Sequence, residues 1–287
     1  MQTITVPNLV TALEAALQCE NEKSTRDNSV LHVTDLAVAI GESCARQLKL
    51  KLMDADRNLH TAGKLLMFRN GQRIHEDLAY LLELGLPAEW EIDSIEQHVE
   101  FAGIIGTADI IIRHTVSGEI VVVDFKSVRG RAFHYLEEAK PAHVLQVQSY
   151  SYGLDASIGL VLYVDREGQN SFKQFVVPRD DVKVLDAVRA TKAIVADTEL
   201  PPTLEPVVKM GKATKTKGVP VTISMPWNCG YCDYRDVTCH GSLPYDYRNM
   251  GVVGHLFDGS YKSAKELPGC YEEKIIQEIG SAEAIPF

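Results

Sequence analysis

The sequence predicts a mixed α/β domain, because helix-like and strand-like patterns alternate along its first 200 residues. Three β-branched runs follow one another at 92–101, 104–114 and 119–126, with turn residues at 102–103 and 117–118 between them. These runs predict three consecutive strands, and we expect the second and third to form a tight hairpin.

Apolar residues recur at helical spacing on both sides of this strand region. Periodicity and turn residues predict helices over 33–53, 60–84, 141–154 and 180–197, and two further strands near 158–165 and 171–177. Gly71 is a point at which the second helix could be interrupted. The expected order is therefore helices, three strands, a helix, two strands and a helix.

Composition limits the classes of protein that the chain can belong to. The 287 residues are 45% apolar and 24% charged, which is typical of a globular protein. No apolar run approaches the roughly 20 residues of a membrane span, and the N-terminus lacks a signal-peptide pattern, so we expect a cytoplasmic protein with no membrane partner. A net charge of -10 argues against a protein that coats nucleic acid without specificity, but it is compatible with an enzyme that has a local basic groove.

The character of the sequence changes after residue 200, where prolines and a lysine-rich segment precede a group of cysteines. We predict four parts. Residues 1–59 form an N-terminal helical segment, 60–200 a catalytic core, 201–241 a basic linker with the cysteine cluster, and 242–287 a C-terminal tail of little periodicity.

The strand region carries two aspartates and a lysine. Asp124 and Lys126 are two residues apart on the third strand, so alternation places both side chains on one face, and the hairpin brings Asp109 of the second strand near them. Carboxylates are hard ligands for Mg²⁺ or Mn²⁺, and a neighbouring lysine can orient water or stabilise charge on a phosphate. From the residues alone, a buried strand whose polar end emerges into solvent remains an alternative.

Three motifs together resemble the RecB-like branch of the PD-(D/E)XK nucleases. They are Gly106-Thr107-Ala108-Asp109, Val123-Asp124-Phe125-Lys126 and Gln146-Val147-Gln148-Ser149-Tyr150. The resemblance covers about residues 75–150 and implies a restriction-endonuclease-like core, in which helices flank a mixed central sheet.

The resemblance also implies roles for further residues. His75 on the preceding helix and the main-chain carbonyl of Phe125 would join Asp109 and Asp124 as metal ligands. Gln146 and Tyr150, four apart on one helix face, would orient the lysine or contact the DNA backbone. Without the resemblance, His75 would more often be a structural or solvated histidine.

Two acidic residues precede the catalytic hairpin. Glu96 and Glu100 are both candidates for a supporting acid, and their spacing does not choose between them.

A second candidate site is formed by cysteines. Cys229, Cys232 and Cys239 have the spacing C-x2-C-x6-C, and Cys44 is the candidate for a fourth ligand. An early cysteine and three late ones resemble the iron-sulfur nucleases of the RecB-like group, which implies a structural [4Fe-4S] cluster joining the N- and C-terminal segments. Zinc is the alternative, with His240 as a possible ligand.

Basic and aromatic residues suggest where DNA would lie. The basic candidates are Arg69, Arg73, Arg129, Arg131, Lys140 and the lysines at 209, 212, 215 and 217, any of which may equally be a solvated surface charge. Trp227 and Tyr231 are candidates for stacking on bases, although packing is the commoner role of such residues.

These observations lead to one functional prediction. The chain is a Mg²⁺- or Mn²⁺-dependent deoxyribonuclease, an exonuclease on single-stranded DNA or duplex ends, acting in recombination, repair or phage DNA metabolism. The alternatives are a catalytically inactive DNA-binding accessory protein and a zinc-ribbon interaction module.

Overall fold

The structure, a computed structural model, describes residues 8–23, 26–168, 172–204, 207–211, 219–224, 226–239, 252–257, 260–263 and 277. The chain divides into two compact units. The first comprises Met1–Ala55 with Leu59–Pro201, and the second comprises Asp56–Asn58 with Pro202–Phe287. The two units are described separately below.

Within its described residues, the first unit contains six strands, six α-helices and one 3₁₀ helix. The strands are β1 (Leu31–His32), β2 (Trp90–Phe101), β3 (Ile104–His114), β4 (Ile120–Val128), β5 (Ile158–Asp165) and β6 (Phe172–Pro178). The helices are α1 (Leu9–Glu22), α2 (Ala45–Leu52), α3 (Ala62–Gly85), α4 (Gly130–His134), α5 (Pro141–Gly153) and α6 (Asp181–Ala196). The five strands and three of the helices that the sequence predicts are confirmed to within about two residues, the usual uncertainty of element ends.

The strands form one mixed sheet in the order β1-β3-β4-β5-β6, and β2 also pairs with β3. The β1/β3 and β4/β5 pairs are parallel, while β2/β3, β3/β4 and β5/β6 are antiparallel. The prediction of a mixed central sheet is therefore confirmed.

Helices cover both faces of this sheet. On one face, Leu78 and Ala79 of α3 pack on alternate residues of the central strands, namely Ile110, Ile112, Val121, Val123 and Phe125. The other face packs against α5, α6 and the 3₁₀ helix Val33–Ile40, with Leu145, Val184 and Leu36 among the buried residues. Burial of apolar residues on both faces fixes the register of the strands, because a slip of one residue would turn every side chain to the opposite face.

The structure corrects the continuous helix predicted for 33–53. The chain forms the 3₁₀ helix Val33–Ile40, turns at Gly41 with φ 74°, and begins α2 only at Ala45. A glycine in the left-handed region ends a helix at low cost, and this local signal overrides the apolar periodicity. Gly71, by contrast, lies within an uninterrupted α3.

The tight turn of the strand region lies between the first and second strands rather than between the second and third. Only Ala102 and Gly103 connect β2 to β3, and both have positive φ, 49° and 71°. Two such residues match the primed two-residue turns whose twist suits a hairpin. The β3–β4 connection is longer and spans residues 115–119.

The second unit contains an antiparallel sheet in the order β10-β9-β8-β7. Its strands are β7 (Val207–Met210), β8 (Val219–Ser224), β9 (Val252–Phe257) and β10 (Ser260–Ser263). A short helix α7 (Trp227–Gly230) carries Cys229, a π-helical turn (Arg235–Cys239) carries Cys239, and Cys232 lies in the segment between them. Strands β9 and β10 lie in a segment where the sequence shows little periodicity, and the four-part division of the chain stays a prediction.

No helix in the described ranges combines the length and apolar character that crossing a membrane requires.

A glycine sets the distance between α5 and the sheet, and it gives the first testable prediction. A Cβ at Gly159 of β5 would lie 2.1 Å from Cγ1 of Val147 on α5. We expect Gly159→Ala to lower the free energy of unfolding by about 1–3 kcal/mol through overpacking. A Cβ at Gly71 meets nothing within 4 Å, so Gly71→Ala should instead stabilise the protein by up to about 1 kcal/mol. Chemical denaturation of both variants checks the prediction, and equal effects would contradict it.

Candidate active site

Three acidic residues occupy the same level of three neighbouring strands. The last position at which all three strands β2, β3 and β4 are paired holds Ile95, Ile110 and Val123. The next position along each strand holds Glu96, Asp109 and Asp124. Like charges at opposing positions destabilise a sheet, so this row needs a compensating positive charge.

The row lies where β3 and β4 separate. Their pairing ends at Ile110 and Val123, after which β4 continues to pair with β5 alone. Asp109 spans the gap, because its Oδ2 accepts a hydrogen bond of 2.6 Å from the main-chain N–H of Phe125. The side chain of Asp109 thereby satisfies a donor that the strand ladder leaves open, and its other oxygen, Oδ1, is available for a second contact.

His75, Glu96 and Asp109 form a group that could hold a metal ion. One ligand atom of each lies within 4.8 Å of the others, and the Nδ1 of His75 is 3.5 Å from Oδ1 of Asp109. Among the described residues, Asp124 is outside this group. The structure therefore brings predicted ligands His75 and Asp109 together with Glu96, which the sequence named only as one of two supporting acids.

Glu96 has an unusual backbone conformation. Its φ of 51° lies in the left-handed region, where a side chain with a Cβ is disfavoured by roughly 1–3 kcal/mol. The β2–β3 register also shifts between Ile92 and Ser94, which leaves Asp93 as an extra residue. Bulges of this kind re-aim side chains near functional sites. The spacing of residues in the sequence cannot reveal that Glu96 points to the site, because its position depends on the pairing of β2 with β3.

Asp124 is buried, with only 1% of its surface exposed. Its Oδ2 lies 2.8 Å from Nζ of Lys126, yet within the described residues neither carboxylate oxygen accepts a geometrically sound hydrogen bond. A buried carboxylate with so few partners is energetically unfavourable unless a cation compensates it. The donor set therefore fits a divalent metal ion, which would supply that compensation.

The charges of the site shift several pKa values. Burial raises the pKa of Asp124 to about 6, against the opposing effect of Lys126 and with a contribution from the charge of Asp109. Burial likewise raises the pKa of Glu96, with Asp109 adding to the shift. Burial alone would lower the pKa of His75, but its hydrogen bond and attraction to Asp109 raise it overall. The carboxylate of Asp109 thus contributes to all three shifts, and burial is the larger cause for Asp124 and Glu96.

Two sequence motifs meet beside this row. The Nε2 of Gln146 donates a hydrogen bond of 3.2 Å to the hydroxyl of Tyr150, whose ring is buried. A Cβ at Gly106 would lie 2.8 Å from that ring and 2.8 Å from Val33. The glycine of the first motif thus makes room for the tyrosine of the third, and burial raises the pKa of Tyr150.

A hydrogen-bonded tyrosine and histidine lie near Lys126 on its β5 side. Its register partner on β5 is Tyr163, whose hydroxyl accepts a hydrogen bond of 3.0 Å from the N–H of Lys140 and lies 2.7 Å from Nδ1 of His143. Burial, together with the charges of Lys126 and Lys140, lowers the pKa of His143 to about 3. His143 therefore stays neutral near pH 7 and adds no positive charge of its own beside the Lys126 ammonium. Sequence reasoning missed this pair.

Several other predicted residues lie away from the carboxylate row or outside the described part of the chain. Arg69 forms an ion pair with Glu20 on the exposed surface. Cys44 is buried in the first unit, whereas Cys229, Cys232 and Cys239 belong to the second. His240 and the lysines at 212, 215 and 217 lie outside the described residues.

Acidic residues on neighbouring strands beside a lysine could hold a divalent cation, and such a cation can promote hydrolysis of a phosphate ester. The family model of the PD-(D/E)XK nuclease superfamily matches residues 29–240, more than half of the chain. The protein therefore belongs to the PD-(D/E)XK nuclease superfamily, and its mixed sheet with flanking helices is the restriction-endonuclease-like core. No protein of curated function matches the chain in sequence.

The solved structures that match this chain have low sequence identity to it. SSO0001 is 17% identical, and the match covers 82% of this chain and 97% of that one, with a TM-score of 0.48. The alkaline exonuclease LHK-Exo from Laribacter hongkongensis is 12% identical over 65% of this chain and 91% of its own, with a TM-score of 0.43. A phage-related exonuclease from Haemophilus somnus 129PT is 15% identical over 58% and 93%, with a TM-score of 0.44.

The carboxylate group predicts stabilisation by metal. We expect Mn²⁺ or Mg²⁺ to raise the melting temperature of the wild-type protein, because ligand binding to the folded state stabilises it. Glu96→Gln should reduce this rise, whereas Glu100→Gln, on the same strand and exposed, should leave it unchanged. Thermal unfolding in metal and in EDTA measures the effect, and an equal rise in both variants would exclude Glu96 as a ligand.

Burial of Asp124 predicts a pH dependence of stability without metal. The folded pKa of about 6 exceeds the ordinary value of 3.8, so this group favours folding fully below the lower value and loses that contribution as the pH rises through the higher one. In EDTA, the stability of wild-type protein relative to Asp124→Asn should fall between about pH 4 and about pH 7.5.

The matched control for this pH dependence is Asp186→Asn, which changes an exposed aspartate on α6. Its stability relative to wild type should show no comparable change over the same range. If the difference in unfolding free energy between wild type and Asp124→Asn does not change with pH in chemical denaturation, the pKa of Asp124 is not raised.

Proposed function

We propose that the protein is a Mg²⁺- or Mn²⁺-dependent deoxyribonuclease that acts as an exonuclease on single-stranded DNA or duplex ends. The observation that carries the proposal is the row of Glu96, Asp109 and Asp124 beside Lys126, in a chain of the PD-(D/E)XK superfamily. The biological process, whether recombination, repair or phage DNA metabolism, is part of the same proposal.

His75, Glu96 and Asp109 would hold the cation, with Asp124 and the Phe125 carbonyl as further oxygen ligands. A bound divalent cation would supply a more acidic water and would stabilise negative charge on the reacting phosphate. The protein's own contribution is to fix the ligands. Asp109 is held by the Phe125 N–H, and Asp124 is held in a buried position.

Lys126 would position the attacking water and stabilise the charge that develops on the phosphate. Its ammonium lies 2.8 Å from Asp124 at the end of β4, so it is held next to the proposed metal ligands. Gln146 and Tyr150 form a hydrogen-bonded pair on α5. We assign them to orienting the lysine or contacting the DNA backbone.

DNA would be held by basic residues that follow the catalytic strand. Arg129 and Arg131 flank the start of α4, and Lys140 precedes α5. Phosphate contacts of this kind set the position of a strand without reading its sequence. Arg73, Lys209, and the exposed aromatic residues Trp227 and Tyr231 remain further candidates for DNA contact.

For the cysteines we propose a [4Fe-4S] cluster bound by Cys44, Cys229, Cys232 and Cys239, with a structural role and zinc as the alternative metal. The support is their spacing in the sequence together with the burial of Cys44 and Cys229. A thiolate-bound cluster is compatible with the reducing cytoplasm, which we propose as the location.

The nuclease proposal predicts the loss of DNA cleavage in two variants. Asp109→Ala and Lys126→Ala should fold normally and lose at least about 100-fold in the rate of degradation of labelled single-stranded DNA with Mn²⁺. Lys192→Ala, which changes a lysine that donates to the Ala102 carbonyl, should cut at the wild-type rate. Wild-type protein that leaves DNA intact in Mn²⁺ would favour the inactive DNA-binding alternative, and cleavage retained in both variants would refute the assigned roles.

The cysteine proposal predicts a metal content. Protein purified without oxygen should be brown and should contain iron and inorganic sulfide, because thiolates bind such clusters. Cys229→Ser should lose the iron, while Cys19→Ser, an exposed cysteine on α1, should keep it. Zinc in place of iron in elemental analysis would contradict the cluster and favour a zinc site.

A further inference from the structure

The cavity in front of the metal-binding group has one wall without charge. Its volume is about 610 Å³, which is within the range of small-molecule pockets. The acidic side carries His75, Glu76, Glu96 and Asp109. The uncharged wall is formed by Met67, Phe68 and Gln72 of α3, with Ile95 of β2.

The uncharged wall extends from His75 along one face of α3. Phe68 and His75 are seven residues apart, which is about two helical turns, and Gln72 lies between them. At 1.5 Å per residue the wall therefore reaches roughly 10 Å from the metal-binding histidine. A ligand bound at the carboxylates can contact this wall without leaving the cavity.

Apart from the Gln72 amide, the wall is apolar, although it is accessible to solvent. Phe68 is 48% exposed and Ile95 is 53% exposed. Two cationic or aromatic neighbours lie beside the Phe68 ring. The ring of His60 meets it edge-on at 5.4 Å between centroids, and Nζ of Lys64 is 5.6 Å from its centroid. Proteins that bind single-stranded nucleic acid combine aromatic side chains, on which bases stack, with basic side chains that attract the backbone.

We propose that the wall formed by Met67, Phe68, Gln72 and Ile95 holds the unpaired base of the nucleotide whose phosphate lies at the carboxylates. This proposal rests on the proposed nuclease function and deepens it. A phosphate is repelled by Glu96 and Asp109 except where a cation bridges them, so the backbone is directed to the metal and the uncharged base to the apolar wall. Stacking on Phe68 tolerates any base, and the Gln72 amide can donate to or accept from its polar edge.

The consequence is a preference for single strands. A base within a duplex is stacked between its neighbours and its pairing edge is occupied, so it has to leave the helix to reach the wall. The strand that the site accepts is therefore single-stranded DNA or an end that has frayed.

Gly71 offers a way to close this space without disturbing the fold. It lines the cavity, and a Cβ at this position meets nothing within 4 Å. Gly71→Leu should fill the space in front of the wall, while Gly71→Ala should leave most of it open.

The test compares cleavage of two end-labelled single strands in Mn²⁺, one natural and one with abasic nucleotides at the end that is cut. We expect wild-type protein to cut the natural strand about tenfold faster, the effect of losing one stacked base. Phe68→Ala and Gly71→Leu should lose this preference, because each should cut the natural strand more slowly and the abasic strand at the wild-type rate. Tyr80→Ala, which removes another exposed aromatic side chain of α3, and Gly71→Ala should keep it.

A parallel binding measurement separates failure of this inference from failure of the nuclease function. Fluorescence anisotropy of the same two strands is recorded in Ca²⁺ with wild type, Phe68→Ala and Tyr80→Ala. Absence of cleavage in Mn²⁺ refutes the nuclease function. The base site is still supported if wild type binds the natural strand more tightly than the abasic strand and only Phe68→Ala loses this difference in affinity. The base site is overturned if wild type binds and cleaves both strands equally, or if Phe68→Ala and Tyr80→Ala have equal effects.

Discussion

The separation of β3 from β4 is the constraint on which the site depends. Pairing stops at Ile110 and Val123, and the next positions bring Asp109 and Asp124 to the same level as Glu96. Mutual repulsion in this row disfavours the folded state. The Phe125 N–H and the Lys126 ammonium offset part of that repulsion. A divalent cation would offset the rest, which links metal binding to stability and to the protonation of Asp124.

The packing around the row holds each group in place by a different means. Gly106 lets the buried ring of Tyr150 approach β3, and Gln146 fixes the tyrosine hydroxyl. On the far side of Lys126, the neutral His143 is held by Tyr163. These contacts are made by α5 and β5, which support β3 and β4 beside the gap between them. Rigid support of this kind is what positioned ligands require.

Helix α3 contributes to the site in two ways. It presents His75 to Asp109, and two turns earlier it presents Phe68 to the same cavity. One helix face therefore carries both a candidate ligand for a hard cation and an apolar surface. A nucleotide has a matching division between a charged phosphate and an uncharged base. The acidic balance of the whole chain is compatible with this arrangement, because the cation and nearby arginines would attract the strand locally.

The sequence by itself determined the five main strands, three of the helices, and the placement of Asp109, Asp124 and Lys126 near one another, because alternation and short connections are local properties. It could not select Glu96 over Glu100, since that choice depends on the β2–β3 register, the bulge at Asp93 and a left-handed backbone. Nor did it reveal the pairing of His143 with Tyr163 or the small strands of the second unit, which depend on contacts between distant segments. Tertiary structure decided these features, because register, burial and close packing are fixed only when the strands and helices assemble.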